Sequence, residues 1–459
     1  MNARIFKTPL LAAAALVFAF GQAFAGERVV NCDDGDSLQQ AIDAGAGSAK
    51  SLDIFVTGVC IEDVLVSRDR ILISGDGSTV IDGQLTVRGA DNLTVRDLTI
   101  TGSGNGVNAS VARIRLINVH LVGNDDYGMA LRHGGMISMR NGSVMHNHGD
   151  IGVLIENGHG QLTNVEVSGN DGAGIVVNVN GNLTMIGGNV TYHWNATGIA
   201  ASLSSSVELE GVGVSNNLNG MSVYTGSAAR INDSTFDNNA DVGMLVESGV
   251  VSLNQVEISG NRAGIAGSMA KLFLESAHVR YTAARGIDVA ANSSLIFYGG
   301  SVRGIGDAGV VVDNGSSSAA EGVAVSENGS TGIRVSWNST ADIAACAIHN
   351  NAQVITGRSG IFVRTSSSAT IDNSEIFENG TGIGVTRQSF IELTGATVVR
   401  DNRGDGMRLF SDAGATVLNP VSIPPNGSGL AIYCGDTESS VDNRSGGIGP
   451  IDCTDFNSP

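Results

Sequence analysis

The chain repeats one short motif, in which a glycine is followed by an apolar residue, a variable residue and a second apolar residue. It reads Gly128-Met129-Ala130-Leu131, then Gly152-Val153-Leu154-Ile155, then Gly174-Ile175-Val176-Val177. The two apolar residues of each motif are two positions apart, which places their side chains on the same face of a β-strand. The motif therefore predicts a short strand with one buried face, preceded each time by a glycine.

The motif recurs with a nearly constant period. Its glycines run over 346 residues, from Gly83 to Gly429, with a mean spacing of about 23 residues and one longer interval of 28. The sixteen positions are Gly83, Gly106, Gly128, Gly152, Gly174, Gly198, Gly220, Gly243, Gly264, Gly286, Gly309, Gly332, Gly360, Gly382, Gly406 and Gly429. A period of this length is typical of stacked repeats and not of one globular core.

The rest of each period also alternates between apolar and polar residues. Val207-Glu208-Leu209-Glu210 and Ile391-Glu392-Leu393-Thr394 are two examples. Each coil should then hold two or three short strands that pair in parallel with those of the next coil, about 4.8 Å away. The sequence predicts an all-β parallel β-helix solenoid of about 16 coils of about 23 residues, and the aromatic content of 5% fits its narrow interior.

Asparagine recurs three or four residues before the repeat glycine. Asparagine tolerates the left-handed turn conformation, and stacked asparagine side chains can hydrogen-bond along the axis of a solenoid. We therefore predict a stack of asparagines beside the glycine strands. Its predicted members are Asn124, Asn170, Asn195, Asn216, Asn239, Asn261, Asn328, Asn379, Asn402 and Asn426.

The first 25 residues have the pattern of a secretory signal peptide. Arg4 and Lys7 precede an apolar run over residues 9–20, and Ala23-Phe24-Ala25 supplies small residues at a cleavage site. We expect cleavage after Ala25 and a periplasmic or extracellular location. We expect no membrane span in the mature chain.

The remaining chain divides into a cap, a repeat region and a second cap. Residues 26–82 form the predicted N-terminal cap, with a helix that begins at Ser37, and the first coils. The repeats occupy residues 83–433, and residues 434–459 form the predicted C-terminal cap. These caps would cover the open ends of the solenoid.

Five cysteines are distributed unevenly along the chain. Two lie near each end, so we predict the disulfides Cys32–Cys60 and Cys434–Cys453 in an oxidising compartment. The fifth, Cys346, lies among alanines and isoleucines. We expect it to be a small buried side chain.

The net charge restricts the partners. The formal charge is −19, and it becomes −21 when Arg4 and Lys7 leave with the signal peptide. An acidic surface of this size predicts no nucleic-acid partner. We expect a monomer.

Together these features resemble a known superfamily. The glycine motif with its preceding asparagine, the segment Ile73-Ser74-Gly75-Asp76-Gly77 and the helix at Ser37 are similar to the pectate-lyase-like β-helix proteins, in their generic short-repeat branch. The resemblance covers roughly residues 30–435 and implies a right-handed coil. It leaves the activity open, because lyases, hydrolases, esterases, epimerases and non-catalytic surface proteins share this fold.

Part of the chain also resembles alginate epimerases, which carry Tyr-Gly-x-Asp-x-His on one coil. Tyr127 and Gly128 match that pattern, whereas Ala130 stands at its aspartate and Arg132 at its histidine. His133 follows one residue later. The resemblance implies uronate chemistry near this coil, with a different set of side chains.

Counting back from the repeat glycines brings polar residues together on neighbouring coils. Asp126 and Asp150 both lie two residues before their glycine, so we expect them to stack one strand spacing apart. Asp125 lies three residues before its glycine. His148 lies four residues before, where most coils have asparagine. Stacked carboxylates would either favour a general base or bind a cation such as Ca²⁺.

These positions define the candidate site. The predicted catalytic residues are Asp126, Asp150, His148, His133 and Tyr127. The predicted substrate-binding residues are Arg132 and Glu156, and the candidate Ca²⁺ ligands are Asp125, Asp126 and Asp150. An arginine paired with a uronate carboxylate, together with a nearby base, would suit abstraction of the proton at sugar C5.

Two functions follow from this sequence. The first is binding or processing of a polysaccharide, with a uronate lyase or C5-epimerase as the enzyme class. The second is a non-catalytic structural or glycan-binding solenoid of the cell envelope or surface, which the short turns favour because enzymes enclose their substrates with loops. The one long interval, from Gly332 to Gly360, is about ten coils from the candidate site.

Overall fold

The protein is a parallel β-helix, as the sequence predicted. The computed structural model describes residues 27–45, 51–149, 151–193, 195–352, 358–453 and 456–457. The predicted signal peptide, 1–25, and Asp150 of the candidate site lie outside the described residues. Among the helices of the described part, none has the length and apolar character needed to cross a bilayer.

The strands that follow the repeat glycines form one sheet, which we call the first sheet. Its eighteen strands pair in parallel. Sixteen of them belong to the repeat glycines, one additional strand precedes Gly83, and one additional strand follows the strand of Gly429. They are Val64–Val66, Leu85–Arg88, Val107–Ser110, Met129–Arg132, Ile151–Glu156, Ala173–Asn178, Ile199–Ala201, Met221–Tyr224, Val242–Glu247, Ala263–Ser268, Ile287–Ala290, Val310–Val312, Ile333–Ser336, Ser359–Arg364, Thr381–Thr386, Met407–Phe410, Ile432–Cys434 and Ile451–Asp452.

Two further faces complete each coil. The strands of the second face are Glu27–Asn31, Leu52–Thr57, Ile71–Ser74, Leu93–Gly102, Arg113–Asn124, Met136–Arg140, His159–Ser168, Asn182–Thr191, Ser206–Glu210, Ala228–Asn232, Val250–Asn254, Lys271–Glu275, Ser294–Tyr298, Ser317–Glu321, Thr340–Ala344, Ser368–Asp372, Phe390–Thr394, Gly414–Val417, Ser440–Asn443 and Phe456–Asn457. The four longest of these continue around a bend into the third face. The other strands of the third face are Val59–Cys60, Val80–Asp82, Ser143–Met145, Gly213–Ser215, Thr235–Asp237, Glu257–Ser259, His278–Arg280, Ser301–Arg303, Ala324–Ser326, Ala347–His349, Glu375–Phe377, Val398–Arg400, Ser422–Ile423 and Gly447–Ile448.

The N-terminal cap contains the predicted helix, Leu38–Asp43, after a short 3₁₀ turn at Cys32–Asp34. The Ser37 hydroxyl accepts a hydrogen bond from the Gln40 amide at 3.1 Å, as expected of a helix N-cap. Glu62 accepts a second one from the Leu38 amide at 2.6 Å, so a carboxylate lies at the positive end of the helix. Leu38 is buried and covers the first coils.

Both predicted disulfides are present. Cys32 and Cys60 join the cap to the first coils, and Cys434 and Cys453 join the last strands, with Cα–Cα distances of 5.0 and 4.9 Å. Cys346 is buried, as predicted, and burial raises the pKa of its thiol. It is a packing residue of the corner between the second and third faces and not a reactive group.

Buried amides form a ladder along the corner before the first sheet. The Nδ2 of Asn124 donates to the Oδ1 of Asn147 at 2.7 Å, and the Nδ2 of Asn147 donates to the Oδ1 of Asn170 at 2.8 Å. Backbone amides of ladder residues donate to the same oxygens. Each coil thus satisfies polar groups of its neighbour that water cannot reach. The ladder residues are Asn124, Asn147, Asn170, Asn217, Asn239, Asn261, Asn328, Asn351, Asn379, Asn402 and Asn426.

The predicted membership of this ladder was wrong at several coils. Asn195 and Asn216 were predicted members but are exposed, and Asn217 takes the place of Asn216. Asn147 and Asn351 were not predicted but belong to the ladder. The turn between the ladder and the repeat glycine varies from coil to coil, so a fixed offset from the glycine selects the wrong residue. Asn216 has a φ of 58°, which shows that the left-handed residue and the buried amide are adjacent positions.

One coil places a histidine in the ladder. His193 is fully buried, and its backbone amide donates to Asn217 Oδ1 at 3.1 Å. Its ring nitrogens lie 3.3 Å from the Asn170 carbonyl oxygen and 3.4 Å from that of Val167. An imidazole carries no oxygen, so the amide acceptor that other ladder residues offer to the preceding coil is missing here. Burial lowers the pKa of His193, and the carbonyl contacts offset this only in part.

We predict that Asn239→Ala destabilises the protein by at least about 2 kcal/mol, because it removes the buried acceptor of the Asn217 backbone and side-chain amides and one of the two donors to Asn261 Oδ1. Urea unfolding followed by circular dichroism measures the effect. Asn254→Ala is the control, since Asn254 points outward from the second face. Equal losses in the two variants would contradict a special role for the ladder.

Acid should weaken the protein at His193. An imidazole in an unfolded chain titrates near pH 6.5, and the lowered pKa means that the folded protein takes up this proton at lower pH. The contribution to stability is therefore complete above about pH 6.5 and is lost as the pH falls below it. We expect His193→Asn to remove this loss, so that its stability relative to the natural protein increases from about pH 7.5 to pH 5.

Urea midpoints at the two pH values test this prediction. His278→Asn is the matched control, because His278 is exposed on the third face and contacts Ser301. The idea fails if His193→Asn and His278→Asn show the same change between the two pH values.

Candidate functional site

The variable residue of each glycine motif points outward from the first sheet and forms a single column along it. The apolar neighbours Met129 and Leu131 belong to the interior, whereas Ala130 between them does not. We call this the central column. In order its residues are Leu65, Thr86, Asn108, Ala130, Leu154, Val176, Ala200, Ser222, Leu245, Ala266, Asp288, Val311, Arg334, Phe362, Gly384, Arg408, Tyr433 and Asp452.

Three predicted site residues meet beside this column. The guanidinium carbon of Arg132 lies 5.6 Å from the centre of the Tyr127 ring. Its Nε lies 3.4 Å from Glu156 Oε2, and the pair is partly exposed, with side-chain exposures of 30% and 43%. Arg132 and Glu156 are register partners on adjacent coils, so the strand pairing itself holds them together. Tyr127, Arg132 and Glu156 form the first cluster.

A second group lies in the turn that precedes the first sheet. Asn147, and not His148, holds the ladder position of its coil, so the predicted placement of His148 was wrong by one residue. His148 instead follows the ladder residue, as do Asp125 and Asp171 on the neighbouring coils. The Nδ1 of His148 lies 3.5 Å from Asp171 Oδ2, and both side chains are more than 60% exposed.

Asp126 is an exposed turn residue next to Tyr127. Its carbonyl oxygen accepts a hydrogen bond from the Gly149 amide at 3.0 Å. The predicted stack of Asp126 on Asp150, and with it the Ca²⁺ site, depends on a residue outside the described part and stays a prediction. Within the described residues, the one cluster of three possible metal ligands is Cys32, Cys60 and Glu62, whose two sulfurs form a disulfide.

His133 directly follows Arg132 but lies apart from Asp126 and His148. It has a φ of 55° in the turn after the strand Met129–Arg132, and its Nδ1 lies 3.3 Å from the Ser110 hydroxyl. A strand of four residues is roughly 13 Å long and separates this turn from the one that carries Asp126 and His148. The predicted catalytic residues therefore occupy both ends of one short strand.

The structure also shows a cavity that the sequence did not indicate. It has a volume of about 720 Å³ and lies at the corner after the third face, between His146 and Tyr192. Gly169 stands between those two rings, and the lining also includes the carboxylates Glu166 and Asp171. The signal for it was weak, because one aromatic residue and one histidine two coils apart do not stand out among the turn residues.

A group of arginines on the first sheet was missed as well. Arg334 belongs to the central column, with Arg285 and Arg364 nearby. The variable residues of the motifs, taken in order, are uncharged from Ala130 to Ala266. Beyond Ala266 they include Asp288, Arg334 and Arg408, and this change in charge could have been seen in the sequence.

Comparison with known proteins agrees with the architecture. The sequence matches the family described as right handed beta helix region over residues 142–275 and 285–445. The chain belongs to the right-handed β-helix family. Membership confirms the predicted handedness and covers most of the repeat region, but it does not specify a reaction.

Several solved structures are similar in fold. The A-module of mannuronan C-5 epimerase AlgE4 from Azotobacter vinelandii is 14% identical, with a TM-score of 0.33, over 94% of this chain and all of that one. The periplasmic alginate epimerase AlgG is 11% identical, with a TM-score of 0.31, over 93% and 83% of the two chains. The Dettilon tailspike protein is 12% identical, with a TM-score of 0.23, over 93% and 68%. No curated protein sequence matches the chain significantly. At these values the similarity concerns the fold alone.

Proposed function

We propose that this is a secreted or periplasmic protein that binds an acidic polysaccharide on the outer face of the first sheet, at the first cluster. The observation that carries the proposal is the packing of Arg132 against Tyr127 with Glu156 at its side. A cation, an aromatic face and a carboxylate within one patch can bind the charge, the ring and the hydroxyl groups of a sugar acid. The partner is accordingly a polysaccharide or cell-envelope glycan.

The ion pair with Glu156 leaves Arg132 able to bind a ligand. A guanidinium has five N–H donors, and the contact at 3.4 Å involves Nε. The remaining donors can hold a substrate carboxylate in a bidentate pair. Glu156 then orients the guanidinium and accepts a hydrogen bond from a hydroxyl of the same sugar unit.

The reaction that these groups suit best is removal of the proton at C5 of a uronate. Pairing of the uronate carboxylate with Arg132 would stabilise the charge that develops as the C5–H bond breaks. A neighbouring base accepts that proton, and Asp126, Asp150, His148, His133 and Tyr127 are the candidates. In a lyase the C5 electrons form a C4–C5 double bond, the C4–O4 bond breaks and O4 takes up a proton. In an epimerase a proton returns to C5 from the opposite face.

Arg132→Gln tests the binding site and the reaction together. We expect at least about tenfold weaker binding of oligouronates, because a charge-assisted pair contributes about 1.5 to 3 kcal/mol. Calorimetry with oligogalacturonate and oligomannuronate measures the binding. Ultraviolet absorbance of the unsaturated product and NMR of C5 inversion, with and without Ca²⁺, measure the reaction. Tyr127→Ala should weaken binding as well.

Arg230→Gln is the control, because Arg230 is an exposed arginine of the second face. Binding that is unchanged in Arg132→Gln, or reduced equally in Arg230→Gln, would refute the proposed site.

A non-catalytic binding protein is the second candidate. The observation that favours it is the separation of the histidines, since His133 contacts Ser110 and His148 contacts Asp171 at opposite ends of the strand. In that case oligouronates bind without product, and binding survives Asp126→Ala combined with Asp150→Ala. If the natural protein forms product and the double variant does not, the non-catalytic candidate is excluded.

A further inference from the structure

Two arginines in the charged half of the first sheet have no ion-pair partner among the described residues. Arg334 projects from the strand Ile333–Ser336, and Arg364 ends the strand that pairs with it. The Nε of Arg334 and the Nε of Arg364 are buried and have no hydrogen-bond partner among the described residues. A buried polar donor without an acceptor is costly, so these two groups favour a bound acceptor.

The residues below Arg334 reinforce this arrangement. Val311 precedes it in the central column and is fully buried although it points outward, so neighbouring side chains cover it. Asp288 precedes Val311, and its Oδ2 accepts from Arg285 Nη1 at 2.5 Å. The other oxygen, Oδ1, is buried and unpaired among the described residues. Arg285 is thus held over this half of the sheet by one carboxylate.

Like charges converge at this point. Burial lowers the pKa of Arg334, and the nearby charges of Arg285 and Arg364 lower it further, whereas Asp307 and Asp313 oppose the shift only in part. Three guanidinium groups that repel one another gain from a shared anion, which removes the repulsion and supplies the missing acceptors.

An aromatic ring borders the arginines. Phe362 follows Arg334 in the central column, and the guanidinium carbon of Arg364 lies 5.9 Å from the centre of its ring. Gly384 is the next residue of the column. A Cβ there would come within 2.8 Å of a Phe362 ring carbon, so the ring lies over the glycine. A half-buried ring beside guanidinium groups suits a flat sugar ring that carries an anionic substituent.

We propose that Arg285, Arg334 and Arg364 form a second anion-binding subsite, which takes the carboxylate or sulfate of an acidic sugar unit while Phe362 contacts the ring. The proposal deepens the proposed function and rests on it for the identity of the ligand as a polysaccharide. The three arginines are separate from the first cluster and bind independently of it.

The neighbouring aspartates do not account for the arginines. Arg358 Nη1 lies 4.0 Å from Asp307 Oδ1, and Asp313 accepts from the Ser336 hydroxyl at 3.1 Å. Within the described residues, these contacts leave the Nε groups of Arg334 and Arg364 unpaired. The local net charge is +1. Four arginines contribute to it, Arg285, Arg334, Arg358 and Arg364, and three aspartates oppose them, Asp288, Asp307 and Asp313.

The spacing of the two sites determines how a polymer would use them. The strands that carry Arg132 and Arg334 are nine coils apart in the first sheet, which is about 43 Å at the strand spacing. A tetrasaccharide occupies one site, whereas a long chain along the sheet reaches both. Long polymers should therefore bind more tightly than short ones, through the high effective concentration of the second contact.

The test is calorimetry of the full mature protein with tetrasaccharides. We expect two equivalents of tetragalacturonate to bind to the natural protein and one to Arg334→Gln, Arg364→Gln and Arg132→Gln. Binding at the second subsite should weaken by at least about tenfold in each single variant, Arg334→Gln or Arg364→Gln. A sulfated tetrasaccharide distinguishes sulfate from carboxylate recognition, and either one binding supports the subsite. Maltotetraose, which is neutral, should not bind there.

The variants separate this subsite from the first cluster. Loss of all binding in Arg132→Gln, with Arg334→Gln and Arg364→Gln unchanged, overturns the second subsite and leaves the proposed function standing. Loss in the two latter variants alone supports the subsite and contradicts the first cluster. Arg230→Gln should bind like the natural protein, and equal weakening in this variant also overturns the subsite. Circular dichroism and urea midpoints of each variant establish that it is folded.

Discussion

The amide-to-amide hydrogen bonds of the buried ladder constrain the rest of the structure. Each coil is too small to have a core of its own, so it depends on the coil on either side. At the corner before the first sheet the chain turns sharply and buries polar backbone groups. Asn147 and its equivalents satisfy those groups with the amide of the next coil. The turns that follow the ladder differ in length, and the strand pairs of the first sheet, such as Met129 with Val153, keep its outward side chains aligned.

Much of the fold could be predicted, because it depends on periodicity. The glycine motif gives the strand, the period gives the coil, and the positions of the cysteines give Cys32–Cys60 and Cys434–Cys453. The local register at the turns could not be predicted. Turn lengths differ by one or two residues between coils, and such a shift exchanges a buried amide for an exposed side chain. His148 and Asn216 were misplaced for this reason.

The candidate site was predicted in part, for a related reason. Arg132 and Glu156 are brought together by strand pairing, which follows from the motif, and the Tyr127 ring lies beside Arg132. His133 and His148 lie in turns, where the side-chain direction depends on a left-handed residue or on the exact turn length. Arg285 and Arg364 lie 49 and 30 residues from Arg334 in the sequence, and the group was hidden because each arginine looks like an ordinary outward residue of its own coil.

The interruptions of the ladder divide the solenoid along its length. The amides stop at His193, and again where Thr282 and Ile305 take the ladder position of two coils. The disulfides restrain both ends, where a stack of repeats would otherwise fray. Opening should therefore begin inside the rod, at these two junctions. The first cluster lies beside the part of the ladder that precedes His193, and the arginines near Arg334 lie beside the part that follows Ile305, so opening at either junction would loosen the rod between the two sites before it reached them.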